Sequence, residues 1–206
     1  MNKRDAIRLI AGCALLTGAA GIISACSQDK PQFKNIDITG AGYAKDFQLT
    51  DQNGQLRSMK DFQGKVVVMF FGYTQCPDVC PTTMADLAEV KKTLGKDGDK
   101  LQVLFVTVDP ERDTAPVLKA YMANFDPTFL ALRPTPDQLA QVAKDYKVYY
   151  KKVDGKTPTS YTVDHTAASY VYDPKGNVRL YYRYGSSTQA LASDIELLLR
   201  GKSGSA

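Results

Sequence analysis

The chain has 206 residues, of which 44% are hydrophobic and 23% are charged, and this length and balance predict one soluble globular domain with short extensions. The formal net charge is +4, but residues 1–25 contribute three basic residues against one acidic residue, so the remainder holds 23 basic and 21 acidic residues. Such a small surplus argues against a nucleic-acid-binding surface, and we expect no nucleic-acid partner.

The N-terminus has the pattern of an export signal. A basic start precedes an apolar run from residue 9 to residue 23, which is shorter than the roughly 20 residues of a typical membrane span and predicts a signal peptide over residues 1–25. The run ends in "IISAC", which resembles the bacterial lipobox, so Cys26 is expected to be lipidated and to begin the mature chain. An uncleaved anchor is the alternative. Residues 26–44 are then a lipid-anchored tether.

These features predict a membrane-anchored lipoprotein of the cell envelope, with its domain facing the periplasm or another extracytoplasmic side. The folded domain is expected over residues 45–201, and residues 202–206 are expected to be a flexible tail. Only Cys76 and Cys80 would then remain in the domain. Because an exported compartment permits disulfides, two thiols kept close together there need a functional explanation.

The first half of the domain predicts a hairpin, a buried strand and a helix. Residues 46–59 alternate apolar and polar side chains around Asn53-Gly54, which is a strong hairpin signal. The run "KVVVMFFGY" at 65–73 is typical of a strand buried on both faces. Residues 82–95 carry apolar side chains at helical spacing and end in a glycine.

The second half predicts one further buried strand, two helices, a hairpin and a closing helix. In chain order these are a strand at 101–110, helices at 114–125 and 135–146, a hairpin at 167–185 that turns at 174–177, and a helix at 187–201. Strands that alternate with helices, followed by a hairpin and a last helix, predict a three-layer α/β arrangement.

The stretch "FFGYTQCPDVCPTTM" holds the two cysteines four residues apart, each followed by a proline. They lie between a buried strand and a helix, where free N–H groups and the helix dipole favour the thiolate form of a cysteine. On a helical turn, Cys76 and Cys80 would share one face with their Cβ atoms roughly 5–6 Å apart. That spacing allows a redox disulfide, a structural bridge, a peroxide-reducing thiol or a shared soft metal ion.

His165 is the single histidine, and it lies in "TVDHTAASYVYDPKG" just before a predicted strand. A lone histidine is more often structural than a metal ligand. Together with two thiolates, however, an imidazole makes a set that copper accepts readily, because thiolates favour Cu(I) and imidazole helps to hold Cu(II). Zinc would also accept these ligands, but a closed structural zinc site normally needs a fourth.

Three blocks, "FGYTQCPDVCPTTMADL", "VTVDPERDTAPVLKAYMANFDP" and "YTVDHTAASYVYDPKG", resemble in sequence and order the SCO/SenC copper chaperones of cytochrome oxidase assembly. The resemblance covers residues 46–201. It implies a thioredoxin-like α/β/α fold with an added N-terminal β-hairpin. It also implies copper, as Cu(I), Cu(II) or both, at Cys76, Cys80 and His165, with a redox disulfide between the two cysteines when the metal is absent.

Four polar residues of these blocks are candidates for supporting roles. We expect such a role for Asp78 and Asp109. Arg112 and Asp113 belong to the same blocks, but helix capping and ordinary ion pairs explain these residues about as well.

The function implied is that of a metallochaperone, which delivers copper to the CuA site of cytochrome c oxidase or prepares the thiols of that site. The implied partners are the oxidase subunit carrying CuA and, in addition, other copper chaperones or thiol reductases. A membrane-anchored thiol–disulfide oxidoreductase is the main alternative, although the chain lacks the tryptophan usual beside such motifs. A peroxidase or a purely structural lipoprotein is less consistent with the three blocks.

Overall fold

The structure is a computed structural model, and it describes residues 32–157 and 160–201. Its strands are, in chain order, β1 (Ile36–Asp37), β2 (Leu49–Asp51), β3 (Leu56–Arg57), β4 (Val66–Gly72), β5 (Leu101–Thr107), β6 (Leu130–Arg133), β7 (Tyr150–Asp154), β8 (Tyr161–His165), β9 (Ala168–Tyr172) and β10 (Val178–Arg183). Its α-helices are α1 (Val79–Thr93), α2 (Ala115–Ala123), α3 (Pro136–Asp145) and α4 (Thr188–Leu199). Eight strands form one mixed sheet in the order β1-β10-β9-β4-β5-β6-β2-β3, while β7 and β8 form a separate two-stranded sheet.

The two continuous apolar runs are central strands of the large sheet, as predicted. All seven residues of β4 and all seven of β5 are buried. β4 pairs in parallel with β5 and antiparallel with β9, so both of its edges are satisfied by neighbouring strands. Because side chains alternate along a strand, burial of every residue requires a layer on each face of the sheet.

Helices supply both of those layers. On one face, the ring of Phe71 lies 5.3 Å from that of Tyr146, which follows the last residue of α3. On the other face, Phe70 contacts Phe105, and Phe105 contacts Tyr121 of α2. Helices α1 and α4 pack against each other, and α4 also packs against β4. The result is the predicted three-layer α/β arrangement.

Both predicted hairpins are present. β2 and β3 pair antiparallel around a turn in which Gly54 has φ +80°, and this N-terminal hairpin joins the sheet beside β6. β9 and β10 pair antiparallel around the turn that contains Gly176, with φ +82°. Positive φ is the conformation that glycine adopts at little cost, which explains the glycine at each turn.

The sequence analysis did not predict the hairpin formed by β7 and β8. Four of the five residues of β7 are exposed and the fifth is partly exposed, so they lack the alternation that marks a half-buried strand. The two strands pair from Tyr150 with His165 to Asp154 with Tyr161. His165 therefore ends a strand of this small sheet and also stands three residues before β9.

The predicted signal peptide and Cys26 lie outside the described residues. Within the range assigned to the tether, the buried carboxylate of Asp194 on α4 accepts hydrogen bonds from the backbone N–H groups of Lys34 and Asn35, both at 2.9 Å. Residues 34–37 therefore lie against the domain. None of the helices in the described part of the chain has the length and apolar character needed to cross a membrane.

Candidate metal centre

The start of α1 places the two cysteines. Cys76 lies in the loop after β4, Asp78 is the N-cap residue, and Cys80 is the second residue of the helix. Pro81 follows in the first turn, where a missing N–H costs nothing because the first N–H groups of a helix have no partner within it. The chain therefore turns from a buried strand into a helix within a few residues, with one cysteine on each side of the helix start.

His165 joins the two cysteines from another part of the chain. The two sulfur atoms and a ring nitrogen of His165 all lie within 4.8 Å of one another. The Cys80 sulfur is 3.4 Å from His165 Nε2, across 85 residues of sequence, and the Cys80 N–H donates to the Cys76 sulfur at 3.4 Å. The structure thus brings together all three residues that the sequence analysis proposed as metal ligands.

The two cysteines differ in exposure and in protonation. Cys76 is partly exposed, whereas Cys80 is completely buried. The hydrogen bond from the Cys80 thiol is the main interaction that lowers the pKa of Cys76, to about 4, while partial burial opposes it and hydrogen bonds from His165 and the backbone add to it. The same hydrogen bond, together with burial, raises the pKa of Cys80. Without metal, the pair is therefore an accessible thiolate beside a buried thiol.

A hydrogen bond orients the His165 ring. Nδ1 lies 3.2 Å from the carbonyl oxygen of Thr166. A carbonyl can only accept, so this contact is a hydrogen bond when Nδ1 carries the proton, and in that tautomer Nε2 has a free lone pair for a metal ion. The rings of Phe70 and Tyr73 each pack against the imidazole in a T-shaped arrangement, with a centroid distance of 5.9 Å. These contacts orient the ring so that Nε2 faces the Cys80 sulfur.

Sequence analysis missed Gly72, the last residue of β4. A Cβ atom at this position would stand 2.8 Å from the Cys80 sulfur, 2.8 Å from the ring of Phe70 and 2.9 Å from the ring of Phe105. Contacts below 3.0 Å are sterically excluded, so only glycine lets Cys80 approach the end of the strand this closely. The glycine in "FFGY" was a visible signal, since a glycine inside a strand pattern often marks a close approach.

Asp109, one of the two predicted supporting residues, is linked to the histidine strand. Its carboxylate is buried, accepts a hydrogen bond from the Tyr161 hydroxyl at 2.8 Å and pairs with the guanidinium of Arg112. Tyr161 is the first residue of β8, the strand that ends at His165. Asp109 therefore connects the loop after β5 to the strand that carries the candidate ligand.

Asp78, the other predicted supporting residue, contacts Cys76 through its main chain. Its carboxylate is exposed, makes no cap to the helix and contacts only the Thr82 hydroxyl, at 3.4 Å. A hydrogen bond from its backbone helps to lower the pKa of Cys76, after the larger effects of Cys80 and His165. A direct role for the Asp78 side chain stays a prediction.

Asp113 was passed over in the sequence analysis, yet it supports the loop that leads to Cys76. It is fully buried and accepts hydrogen bonds from the Thr74 backbone at 3.1 Å and from the hydroxyls of Thr74 and Thr107, both at 2.5 Å. Burial raises the pKa of this carboxyl group, against the effect of the threonine hydrogen bonds. Asp113 thus ties the loop before Cys76 to the end of β5.

The donor set fits a small metal ion. Three donors around one ion, with bonds of about 2.0–2.3 Å, stand roughly 3.5–4 Å apart, so donors within 4.8 Å of one another must approach by at most about 1.3 Å. Two sulfurs and one nitrogen are soft and borderline ligands, which suit copper better than Mg²⁺ or Ca²⁺.

Comparison with known proteins indicates the same family as the three sequence blocks. A family model described as SCO1/SenC matches residues 37–200. The chain belongs to the SCO1/SenC family. This confirms the resemblance that the three sequence blocks indicated.

Two relatives show how much of the chain is shared. The SCO2-like protein of Rickettsia felis is 31% identical over 195 residues, which cover 92% of this chain and 95% of that protein. The mitochondrial SCO2 homolog of Bos taurus is 37% identical over 152 residues, which cover 73% of this chain but 57% of the bovine protein.

Solved structures of SCO proteins share the fold. The copper-bound ScoI of Bradyrhizobium japonicum is 43% identical and matches with a TM-score of 0.67, over 73% of this chain and 96% of that one. A SCO1/SenC family lipoprotein of Bacillus anthracis is 27% identical, with a TM-score of 0.64, over 74% of this chain and 92% of that one. The predicted thioredoxin-like α/β fold is confirmed by these likenesses.

The first prediction concerns Gly72. In Gly72→Ala, the new methyl group must displace the Cys80 sulfur or the neighbouring rings, so we expect Cu(I) affinity to fall about tenfold or more. Anaerobic competition titration of the reduced protein against a Cu(I) chelator measures this. Gly42→Ala is the matched control, because Gly42 has ordinary φ and no atom within 4 Å of the position of a new Cβ. Equal Cu(I) affinity in the two variants would contradict the close-approach argument.

Proposed function

We propose that this protein binds copper through Cys76, Cys80 and His165 and delivers it to the CuA site of cytochrome c oxidase, or prepares the thiols of that site, during oxidase assembly. The observation that carries the proposal is the convergence of two sulfurs and one imidazole nitrogen within 4.8 Å. The predicted cofactor, copper, is confirmed by that cluster together with the copper-bound relative. The proposed partner is the oxidase subunit that carries CuA, with other copper chaperones or thiol reductases acting on the protein itself.

The unequal exposure of the ligands supports transfer of the metal. Cys80, on α1, is buried against the end of β4, whereas Cys76 and His165 are partly exposed. A thiolate of the acceptor could therefore replace Cys76 first, while Cys80 still holds the ion. In such an exchange each bond that breaks is replaced by a similar one, so the ion need not be released into solution and its oxidation state does not change.

The proposed location is the cell envelope, with Cys26 lipidated and the domain on the extracytoplasmic side. The basic start, the short apolar run and "IISAC" support it. The family includes a bacterial protein described as a lipoprotein and proteins described as mitochondrial. These descriptions support an association with the cell envelope.

A second candidate function, thiol–disulfide exchange, is favoured by the difference between the two cysteines. Cys76 is partly exposed with a pKa lowered mainly by the Cys80 thiol, and Cys80 is buried with a raised pKa. The Cys76 thiolate would attack a partner disulfide and release one partner thiolate, and Cys80 would then displace the second. The partner gains two electrons as its disulfide becomes a dithiol, and Cys76 and Cys80 become a disulfide. Both cysteines are free thiols in the structure, and their disulfide stays a prediction.

The experiment that tests copper binding separates the ligands by oxidation state. Cu(I) is soft and is satisfied by two thiolates, whereas Cu(II) prefers nitrogen donors, so His165→Ala should keep one Cu(I) per chain at reduced affinity and lose the stable coloured Cu(II) complex. Cys76→Ser and Cys80→Ser should each weaken both ions strongly, because one thiolate remains. Cu(I) competition titrations and Cu(II) absorption spectra on the same preparations measure both effects.

A matched control for that series is Tyr149→Ala. Tyr149 directly precedes β7 of the hairpin that carries His165 and is 58% exposed, so its truncation should leave both ions bound as in the parent. If His165→Ala binds Cu(II) like the parent, the three-ligand site is wrong.

Thiol exchange is tested by trapping the mixed disulfide. With a small aromatic disulfide as substrate, Cys80→Ser should accumulate a mixed disulfide at Cys76, because the nucleophile remains and the resolving thiol is gone. Cys76→Ser should react far more slowly, since Cys80 is buried and its pKa is raised. Mass spectrometry after quenching with acid distinguishes the two adducts. Equal rates in both variants would reject the assigned roles.

Lipidation at Cys26 is tested on protein taken from membranes. The mature chain should begin at Cys26 and carry at least two acyl chains, because a single chain gives only marginal membrane binding. Intact-mass and N-terminal peptide analysis decide this, with Cys26→Ser as the control that should lose the acyl mass. A chain that begins at Met1 or Ser27 would contradict the proposed anchor.

A further inference from the structure

The hairpin that carries His165 is attached to the domain along one face of β8. Tyr161, Val163 and His165 lie on the same face, because side chains alternate along a strand. Val163 is buried and its backbone is hydrogen-bonded to the phenol of Tyr73, at the end of β4. His165 reaches Cys80, and Tyr161, about 13 Å away along the strand, marks the far end of this face.

One arginine holds that far end. The guanidinium carbon of Arg112 lies 3.5 Å from the centre of the Tyr161 ring, and its Nη1 donates to the Tyr161 carbonyl oxygen at 2.9 Å. Asp109 completes the arrangement, since its carboxylate pairs with Arg112 Nε and accepts the Tyr161 hydroxyl at 2.8 Å. Arg112 therefore contacts both the ring and the backbone of the first residue of β8.

The same guanidinium also reaches the cysteine loop. Arg112 Nη1 donates to the side-chain oxygen of Gln75 at 3.1 Å, and Gln75 directly precedes Cys76. The Arg112 side chain is about four-fifths buried, with 19% of its surface exposed. Its contact with the Tyr161 carbonyl is therefore partly shielded from competing water, whereas its contact with Gln75 is exposed. A single planar group thus touches the two segments that supply the ligands, which a lysine could not do in the same geometry.

We infer that Arg112 is a positioning residue for the copper site: together with Asp109 and Tyr161, it fixes the β7–β8 hairpin so that the His165 imidazole meets the two cysteines. The inference rests on the proposed copper function and adds to it. Cys80 is held by α1 against the end of β4, and the loop before Cys76 is also tied to β5 through Asp113. The contact of Arg112 with Gln75 is exposed, so loss of the Arg112 contacts moves the imidazole more than it moves the two sulfurs. Cu(II), which needs the imidazole, depends on Arg112, whereas Cu(I) depends on it much less.

The test compares Arg112→Lys with its parent in the full chain. Lysine keeps the charge but loses the planar contacts, so we expect Cu(II) affinity to fall about tenfold, as for other residues that orient metal ligands, while Cu(I) affinity changes by less than about threefold. The nitrogen hyperfine coupling from imidazole in the Cu(II) electron paramagnetic resonance spectrum should weaken in parallel. A general loss of structure would lower both affinities together, so the split identifies positioning.

Two further variants complete the design. Tyr161→Phe keeps the ring under Arg112 but removes the hydroxyl bound to Asp109, and a smaller loss of Cu(II) affinity in the same direction is expected. If Arg112→Lys does not fold, the Cu(II) and Cu(I) affinities of Tyr161→Phe test the positioning role instead. Arg57→Lys is the matched control, because Arg57 Nε pairs with the buried carboxylate of Asp51 at 2.8 Å in the distant β2–β3 hairpin, and it should bind both ions like the parent.

The Cu(II) binding of His165→Ala is the reference with which the other variants are compared. If it loses Cu(II) while Arg112→Lys and Tyr161→Phe bind Cu(II) like the parent, the positioning role is wrong and the copper site stands. If His165→Ala itself binds Cu(II) like the parent, the three-ligand site has failed and the positioning role fails with it. A parallel loss of Cu(I) and Cu(II) in Tyr161→Phe also overturns the inference, since it indicates a general structural effect.

Discussion

The approach of the Cys80 sulfur to the end of β4 is the contact on which the rest of the metal centre depends. It requires a residue without a side chain at Gly72, a helix that starts immediately after the loop and a central strand that is rigid because both edges are paired. Once Cys80 is buried there, the i, i+4 spacing leaves Cys76 at the protein surface beside it. The core of the fold thus determines both the position and the unequal exposure of the two sulfurs.

That inequality links metal binding to thiol chemistry. A buried thiol that donates to its neighbour stabilises the neighbour as a thiolate, and a thiolate is both a metal ligand and a nucleophile. The same pair therefore suits delivery of copper and exchange with a disulfide, and the two candidate functions are chemically related. His165 distinguishes the two candidate functions, because its imidazole would add a third donor for copper and has no evident place in the exchange of thiols.

The third candidate ligand comes from a different structural unit. The cysteines belong to the large sheet and α1, while His165 lies on a two-stranded sheet whose outer strand is exposed. A small hairpin of this kind is only marginally stable by itself, so its position depends on contacts with the domain. Those contacts, at Tyr161, Val163 and His165, place the histidine beside the two cysteines.

The sequence by itself determined the parts of this protein that follow from local pattern. Continuous apolar runs identified β4 and β5, helical spacing identified the helices, and "CPDVCP" with the lone histidine identified the three candidate ligands and, through the resemblance, the family. Only the tertiary structure decided how those ligands meet. The hairpin of β7 and β8 has no alternating pattern, because its residues are mostly exposed and pair with each other rather than with the core. The roles of Gly72, Arg112 and Asp113 arise from contacts between segments that are distant in sequence. The local spacing of apolar residues does not predict such contacts.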